Sequence, residues 1–331
     1  MKILLIILLL LPSLAISQPA KKILILETMP VNAIIEHKNA FINHMADLGF
    51  DTSNITVLEA DGSKERVEHL LKSYLRNNKP DLVVTLATLA TQVGYELLKG
   101  KDIPQLFAVV TDPVGAGVIK KEGVASGEHI TGRIYSLYRK PKINILRRIL
   151  NQKHPDKIIF GALHSSYPSA QGDVVNLKKA AENFDNIEFI SYEIPYTSVP
   201  EGLPDMLREA EKVIPEFEQK IDYWWLAAGP LYETIEFPRL LIEKSTKPIA
   251  LGNLEESVKA GALISIRPDF KAGGKELALI ADRIFKGEDV GKIPVTIPEN
   301  FKISINLATA LSLGLTIPTD IMLMAETRIY K

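Results

Sequence analysis

Short apolar runs and amphipathic stretches alternate along most of the chain. Runs of β-branched and leucine residues, such as 23–26 and 82–86, have the composition of strands buried on both faces. The intervening stretches 33–48 and 63–76 have apolar residues at helical spacing, and Ser63 is suited to cap the second of them. Strands that alternate with helices in this way predict an α/β fold built on parallel sheets.

The same series of predicted elements occurs twice. Pro104 precedes a V-x-A-G motif at 114–117 by ten residues, and Pro248 precedes a second V-x-A-G motif at 258–261 by the same ten. This spacing indicates an internal duplication. The alternative is the general likeness of all βαβ arrays, in which strands and helices recur with similar periods. The predicted strands are 23–26, 55–58, 82–86 and 105–110 in the first half, and 157–160, 187–192, 223–226 and 248–251 in the second.

Two similar sheets in one chain predict two Rossmann-like lobes joined by a hinge, with a cleft between them. Open α/β sheets bind ligands at the carboxyl ends of their strands. If those ends face each other, a ligand lies between the lobes and hinge motion can close over it. The predicted first lobe is 21–137 plus 268–292, and the second is 138–267 plus 293–331.

Small and polar residues follow the predicted strands, where a ligand would bind. Thr88 precedes a predicted helix, and a hydroxyl beside free helix amides suits an anion, whereas Asp112 suits an ammonium or hydroxyl group. Ordinary capping and turn roles are the alternatives for both residues. His164 is expected to be a hydrogen-bonded cleft residue rather than a catalyst. The predicted ligand-binding residues are Thr28, Met29, Thr88, Leu89, Thr111, Asp112, His164, Ser165, Ser166, Gly229 and Asn253.

The N-terminal segment has the layout of a secretory signal. Lys2 precedes an apolar run at 3–11, and small residues lead to a predicted cleavage after Ser17, so that the signal is 1–17, or extends to residue 20. The run is too short for a membrane anchor. The chain contains no cysteine, which excludes disulfides, thiolate nucleophiles and a lipid anchor. We therefore expect export to the periplasm without anchoring.

Charge and motifs argue against several other functions. The chain has 39 basic and 40 acidic residues, for a net charge of −1, and no basic cluster that would favour nucleic acid. No P-loop, H-E-x-x-H or G-x-S-x-G pattern occurs, and no two histidines stand at i, i+4. We therefore expect no catalytic residues, no metal and no cofactor.

Four segments resemble one family over nearly the whole chain after the predicted signal. The sequence DIPQLFAVVTDPVGAGVI at 102–119 is similar to ABC-transporter substrate-binding proteins of the tryptophan/tyrosine-binding type. HITGRIYSL at 129–137, the stretch 260–288 and NLATALSLGLTIP at 306–318 extend the resemblance. It implies a type I periplasmic binding protein fold with three hinge crossings, delivery of ligand to a membrane permease, and aromatic amino acids or other small molecules as ligands.

The resemblance is closer in the first predicted lobe than in the second. Thr88 and Asp112 match the family's threonine and aspartate, but Ala228 and Gly229 stand where amino-acid-binding members tend to carry a threonine followed by an acidic residue. Without that carboxylate an α-amino ligand lacks its acceptor, unless Asp112 or Glu27 replaces it, and a neutral or anionic ligand is equally open. We predict a monomeric periplasmic binding protein of an ABC importer. The alternatives are a ligand-presenting sensory protein for a receptor kinase and, less favoured, a periplasmic enzyme.

Overall fold

A computed structural model describes residues 20–299 and 301–331 of the chain, which form two α/β lobes. The predicted signal at 1–17 lies outside the described residues. Among the helices of residues 20–299 and 301–331, none combines the length and the apolar character needed to cross a membrane.

The first lobe contains a five-stranded parallel sheet. Its strands are β1 (Ile23–Glu27), β2 (Ile55–Glu59), β3 (Leu82–Leu86), β4 (Gln105–Val110) and β5 (Ile130–Ile134). They lie in the order β2-β1-β3-β4-β5. Helices α1 (Asn32–Asp47), α2 (Lys64–Asn77) and α3 (Thr88–Leu98) connect the first four strands. Every residue of β1 and β3 is buried, as expected for apolar strands covered on both faces.

The second lobe contains a seven-stranded mixed sheet. Its strands are β6 (Ile158–Ser165), β7 (Ile187–Ile194), β8 (Tyr223–Trp225), β9 (Ile249–Gly252), β10 (Ile264–Pro268), β11 (Phe301–Asn306) and β12 (Ile329–Tyr330). They lie in the order β7-β6-β8-β9-β10-β11-β12, in which only the β10–β11 pair is antiparallel. The remaining helices are α4 (Arg139–Leu150), α5 (Pro168–Ala181), α6 (Leu203–Phe217), α7 (Glu236–Lys244), α8 (Glu255–Ala260), α9 (Phe270–Phe285), α10 (Leu307–Ser312) and α11 (Thr319–Ala325).

The strand order repeats between the lobes, as an internal duplication predicts. In each lobe the first five strands lie in the order second, first, third, fourth, fifth. Both V-x-A-G motifs follow a fourth strand. The motif at 114–117 forms turns, whereas the one at 258–261 ends α8. The two copies therefore share topology and differ in local structure after the fourth strand.

Helix starts explain most differences between the predicted and observed elements. Ser63 caps α2 as predicted, because its Oγ accepts a hydrogen bond from the Arg66 amide at 3.2 Å. Helix α3 begins three residues before the predicted Thr91, at Thr88. Helix α5 begins at Pro168 rather than residue 173, since proline suits the first turn of a helix.

Helix α9 follows a strand of the second sheet but packs on the first lobe. It lies against α1, with the rings of His37 and Phe270 5.4 Å apart, and Arg133 Nε of β5 donates to Glu276 at 2.5 Å. Further along, Pro294 and Thr296 form isolated bridges with two residues of the first lobe, Ala125 and Arg133. The chain thus returns to the first lobe after β10. The predicted lobe boundaries at 137, 268 and 293 remain a prediction.

Candidate ligand-binding cleft

A small cavity lies between the lobes, at the carboxyl ends of the strands. The space between its walls is about 330 Å³, of which only about 30 Å³ can hold the centre of a water molecule. This leaves room for one or two waters, so the lobes must separate before a larger ligand can enter. The cavity is lined by residues of both lobes, namely Met29, Val31, Ile34, Ala87, Val109, Thr111, Tyr135, Tyr167, Ser169, Gly229, Pro230 and Glu233.

Direct contacts hold the lobes together at the rim of the cavity. The Tyr196 hydroxyl of the second lobe donates to the Gly62 carbonyl of the first at 3.1 Å. The side chain of Asp112 packs so closely on Gly172 of α5 that a Cβ on that glycine would lie 2.8 Å from Asp112 Cβ. The structure is therefore a closed form.

A buried charged network connects α4 and α5 to the other lobe. Arg139 Nε donates to Asp173 Oδ1 at 3.0 Å, and Arg139 Nη2 donates across the cleft to the Thr111 carbonyl at 3.2 Å. The second oxygen of Asp173 accepts from the Ala228 amide at 2.7 Å. Burial lowers the pKa of the neighbouring Lys142 to about 8, partly opposed by Asp173. This network ties the loop after β8 to α5 and links both to the first lobe.

The start of α3 offers unsatisfied hydrogen-bonding groups beside the cavity. The first amides of a helix have no intrahelical acceptor, and here Thr28 Oγ1 satisfies the Ala90 amide at 3.1 Å. The Thr88 hydroxyl is buried and has no hydrogen-bond partner. Tyr167 of the second lobe directs its buried hydroxyl toward the amides of Thr88 and Leu89 without forming a hydrogen bond of good geometry. This is the arrangement of an anion site at a helix N-terminus.

Two cavity residues have a strained backbone. Ala87 has a φ of 77° and Val109 a φ of 57°, in the left-handed region that β-branched residues rarely adopt. Val109 lies where the pairing of β4 with β5 shifts register, between Phe107 and Val110. Such strain persists only where the surrounding packing enforces it, and it is commonest at ligand sites. The first-lobe wall is therefore shaped by the backbone as well as by side chains.

Glu233 supplies a carboxylate to the second-lobe wall. Its Oε1 accepts hydrogen bonds from Tyr135 Oη and Asn253 Nδ2, each at 2.6 Å. Its Oε2 is shielded from water and has no partner. Burial raises the pKa of Glu233, while the hydrogen bonds from Tyr135 and Asn253 and the charge of Arg267 oppose that rise. The cavity thus contains a carboxylate with one oxygen unsatisfied.

Comparison with known proteins identifies the family. Residues 22–329 match the family described as ABC transporter substrate binding protein.

This chain belongs to the ABC transporter substrate-binding protein family.

The solved structures that resemble it share its fold. The ABC domain from Streptococcus pneumonia in complex with L-Trp has 23% identity and a TM-score of 0.75, covering 94% of this chain and 100% of that one. The ligand-free, open structure of a substrate-binding protein with adhesive properties from Clostridium difficile has 21% identity and a TM-score of 0.65, covering 94% and 98%. The Tyrosine-binding protein of Clostridioides difficile (strain R20291) is 23% identical over 295 residues, which is 86% of this chain and 80% of that protein. The predicted family and the two-lobed type I periplasmic binding fold are confirmed.

Several residues predicted to bind ligand in this substrate-binding protein come together at the cavity. Met29, Thr111 and Gly229 line it. Asn253 reaches it through its hydrogen bond to Glu233. The remaining first-lobe candidates beside it, at the start of α3, are Thr28, Thr88 and Leu89. Contact of all of these with a ligand remains a prediction.

The other predicted residues lie away from the cavity walls. Asp112 Oδ1 accepts from the Gly115 amide at 2.9 Å, the turn role named as its alternative. His164 is buried with Nδ1 3.1 Å from the Ser165 carbonyl, and burial lowers its pKa. Ser165 Oγ is buried without a partner, whereas Ser166 Oγ accepts from the Tyr196 amide at 2.9 Å.

Glu233 is not among the residues predicted from the sequence. The acidic residue expected at positions 228–229 is absent, and Asp112 and Glu27 were the predicted replacements. In the structure Glu27 pairs with Lys38 at 2.8 Å and does not line the cavity. The available signal was that Glu233 is the first acidic residue after β8. Among residues 20–299 and 301–331, no group of three or more histidine, aspartate or glutamate residues is placed to hold a metal ion.

Proposed function

We propose that this substrate-binding protein captures a small molecule between its lobes and delivers it to the permease of an ABC importer. The observation that carries the proposal is the cavity with walls from both lobes, closed at its rim by direct contacts between them. A ligand that contacts both walls favours the closed form over the open one. A membrane partner that binds the closed form better than the open form can therefore distinguish the ligand-bound protein from the ligand-free one.

We further propose an amino acid as the ligand. Two similar proteins support this class: one is named for binding tyrosine and one was solved with L-Trp. The buried Thr88 hydroxyl and the free amides at the start of α3 suit a carboxylate. Apolar residues such as Met29, Val31 and Ile34 suit the ligand's side chain.

We also propose that the polypeptide chain crosses between the lobes three times. The crossings lie near residues 134–138, near 267–269 and after Thr296, and α9 belongs to the first lobe. The packing of α9 on α1 and the bridge from Thr296 to Arg133 support this arrangement. The protein would act as a monomer in the periplasm after removal of residues 1–17.

Ligand-dependent stabilisation and compaction test the capture function. The chain without residues 1–17 is screened by thermal shift against the twenty L-amino acids, nucleosides, sugars and organic acids. At a concentration 100-fold above its Kd, a ligand raises the free energy of unfolding by about 2.7 kcal/mol, and small-angle scattering then shows a smaller radius of gyration. Stabilisation without compaction would contradict capture by closure.

Uptake measurements test the importer function separately. Deletion of the gene should abolish uptake of the identified ligand by intact cells, and restoring the gene should recover it. Unchanged uptake in the deletion strain would exclude the importer role and favour a protein that presents its ligand to another receptor.

A further inference from the structure

The carboxylate of Glu233 is only half satisfied. Both of its hydrogen-bond donors, Tyr135 and Asn253, are neutral groups, and both bind Oε1. Oε2 faces no donor and is shielded from water, although Glu233 as a whole is partly exposed and lines the cavity. No lysine or arginine of residues 20–299 and 301–331 forms a salt bridge with it. The structure therefore contains, on a residue that lines the cavity, a buried carboxylate oxygen without a hydrogen-bond partner.

The charges around Glu233 only partly balance its own. The charge of Arg267 opposes the rise in the pKa of Glu233, but its guanidinium lies over the Phe270 ring, 4.7 Å from the ring centroid, and forms no salt bridge with the carboxylate. Glu36 of α1 adds a second negative charge to the field at Glu233. A carboxylate removed from water is stable only when its charge and its hydrogen bonds are both compensated. At Glu233 both donors are neutral and serve one oxygen, and the positive charge of Arg267 is opposed by the negative charge of Glu36, so the compensation is incomplete.

The loop after β8, which carries Glu233 to the cavity, requires a glycine at position 229. Gly229 has a φ of 140°, and a Cβ there would lie 2.8 Å from Ala170 Cβ on α5. The loop after β8 can therefore pass directly against α5 and turn back, so that Gly229 and Glu233 both line the cavity. An acidic group thus reaches the cleft from four residues beyond the position where the family resemblance led us to expect it.

We propose that Glu233 binds a positively charged amine of the ligand through Oε2. This inference rests on the proposed capture function and refines it, because it assigns the amine end of the ligand to the second lobe. An ammonium group supplies both the missing hydrogen bond and the missing charge, whereas a hydroxyl supplies only the first. With a carboxylate at the start of α3, the ligand would be a zwitterionic amino acid.

Isothermal titration calorimetry with matched ligands tests the assignment. The probes are L-tyrosine and L-tryptophan, their analogues without the amine, 3-(4-hydroxyphenyl)propionate and indole-3-propionate, and the amines without the carboxylate, tyramine and tryptamine. The Glu233→Gln variant keeps the shape of the side chain and removes its charge. Glu236→Gln, at an exposed position three residues along, is the matched control.

Loss of the charge should affect only ligands that carry the amine. Affinity of Glu233→Gln for the better amino acid should fall about 30- to 1,000-fold, the usual effect of removing one partner of a buried charge pair. Its affinity for the analogue without the amine should change less than about threefold, and Glu236→Gln should match the wild type. Without ligand, Glu233→Gln should melt at a higher temperature than the wild type, since a buried and incompletely compensated charge is removed.

The pH dependence gives an independent measure. The amine binds the ionised carboxylate, so affinity should be present above the pKa of Glu233 in the folded protein and be lost as the pH falls through it. Burial raises that pKa, and the titratable and charged neighbours of Glu233 are Tyr135, Arg267 and Glu36. The loss on acidification should be absent in Glu233→Gln.

Other outcomes separate this inference from the capture function. Equal affinity of the wild type and Glu233→Gln for the amino acid would overturn the role of Glu233. Compaction of the wild type around a sugar or an organic acid, with no binding of any amine, would also overturn it and leave capture standing. If the wild type binds none of the six probes and no member of the wider panel, both proposals fail.

Discussion

Closure of the lobes presses Gly172 of α5 against Asp112, which makes position 172 a test of the mechanism. A Cβ at residue 172 would lie 2.8 Å from both Asp112 Cβ and Oδ2, closer than non-bonded carbon atoms approach. Gly172→Ala should therefore prevent the last part of closure. In an open form the added methyl group would face solvent at the rim of the cleft.

The size of the effect follows from the two states. Asp112 Cβ is fixed to the backbone and cannot rotate away, so the closed form should pay the usual overpacking cost of about 1–3 kcal/mol. Ligand affinity should then fall about 5- to 150-fold. In the open form, alanine within a helix is more stable than glycine by about 0.5–1 kcal/mol. The variant should thus be more stable without ligand and yet bind ligand more weakly.

Three measurements check this prediction. Urea unfolding gives the stability of the ligand-free protein, calorimetry gives the affinity for the identified ligand, and small-angle scattering gives the extent of compaction. Val175→Ala is the matched control, because Val175 lies on the same helix, is 64% exposed and gains helix propensity without touching the other lobe. Wild-type affinity and full compaction in Gly172→Ala would refute the closure mechanism.

Two further variants test the rim and the core. Tyr196→Phe removes the hydrogen bond to the Gly62 carbonyl, so ligand affinity should fall about 2- to 10-fold while the ligand-free stability in urea changes little; unchanged affinity in calorimetry would show that this bond contributes nothing to closure. Burial lowers the pKa of His37 from 6.5 to about 4, so the unfolded chain binds more protons between those pH values and the wild type loses stability as pH falls from about 6.5 to 4. His37→Gln should lose less stability over that range, and identical pH slopes in urea titrations would contradict the assignment.

The strands of the first lobe could be located from sequence because their signal is local. β1, β3 and β4 are covered by helices on both faces, which requires the unbroken apolar runs that the chain displays. The beginning of α3 could not be located in this way. It is stabilised by Thr28, which lies 62 residues before the Ala90 amide that it caps, and no periodic pattern records that contact.

The residues of the candidate site were also only partly predictable from local sequence. Thr111 and Gly229 could be chosen from sequence, since they follow strands whose ends must lie at one edge of a sheet. Asp112 also follows a predicted strand, but its carboxylate accepts a hydrogen bond from the Gly115 amide in the following turn. Which of several polar residues at a strand end faces the cleft depends on side-chain direction and on the opposite lobe, neither of which is encoded in spacing.

Local patterns along the chain were thus sufficient for the duplicated α/β architecture and the family, because apolar periodicity and motif spacing are properties of consecutive residues. The contents of the cleft depended on packing between distant segments. Glu233 becomes a candidate ligand group only because Tyr135, from the end of the first lobe, and Asn253, from the loop after β9, hold one of its oxygens and leave the other free. A carboxylate acquires that role through burial and unequal hydrogen bonding, and both arise only when the lobes have folded and closed.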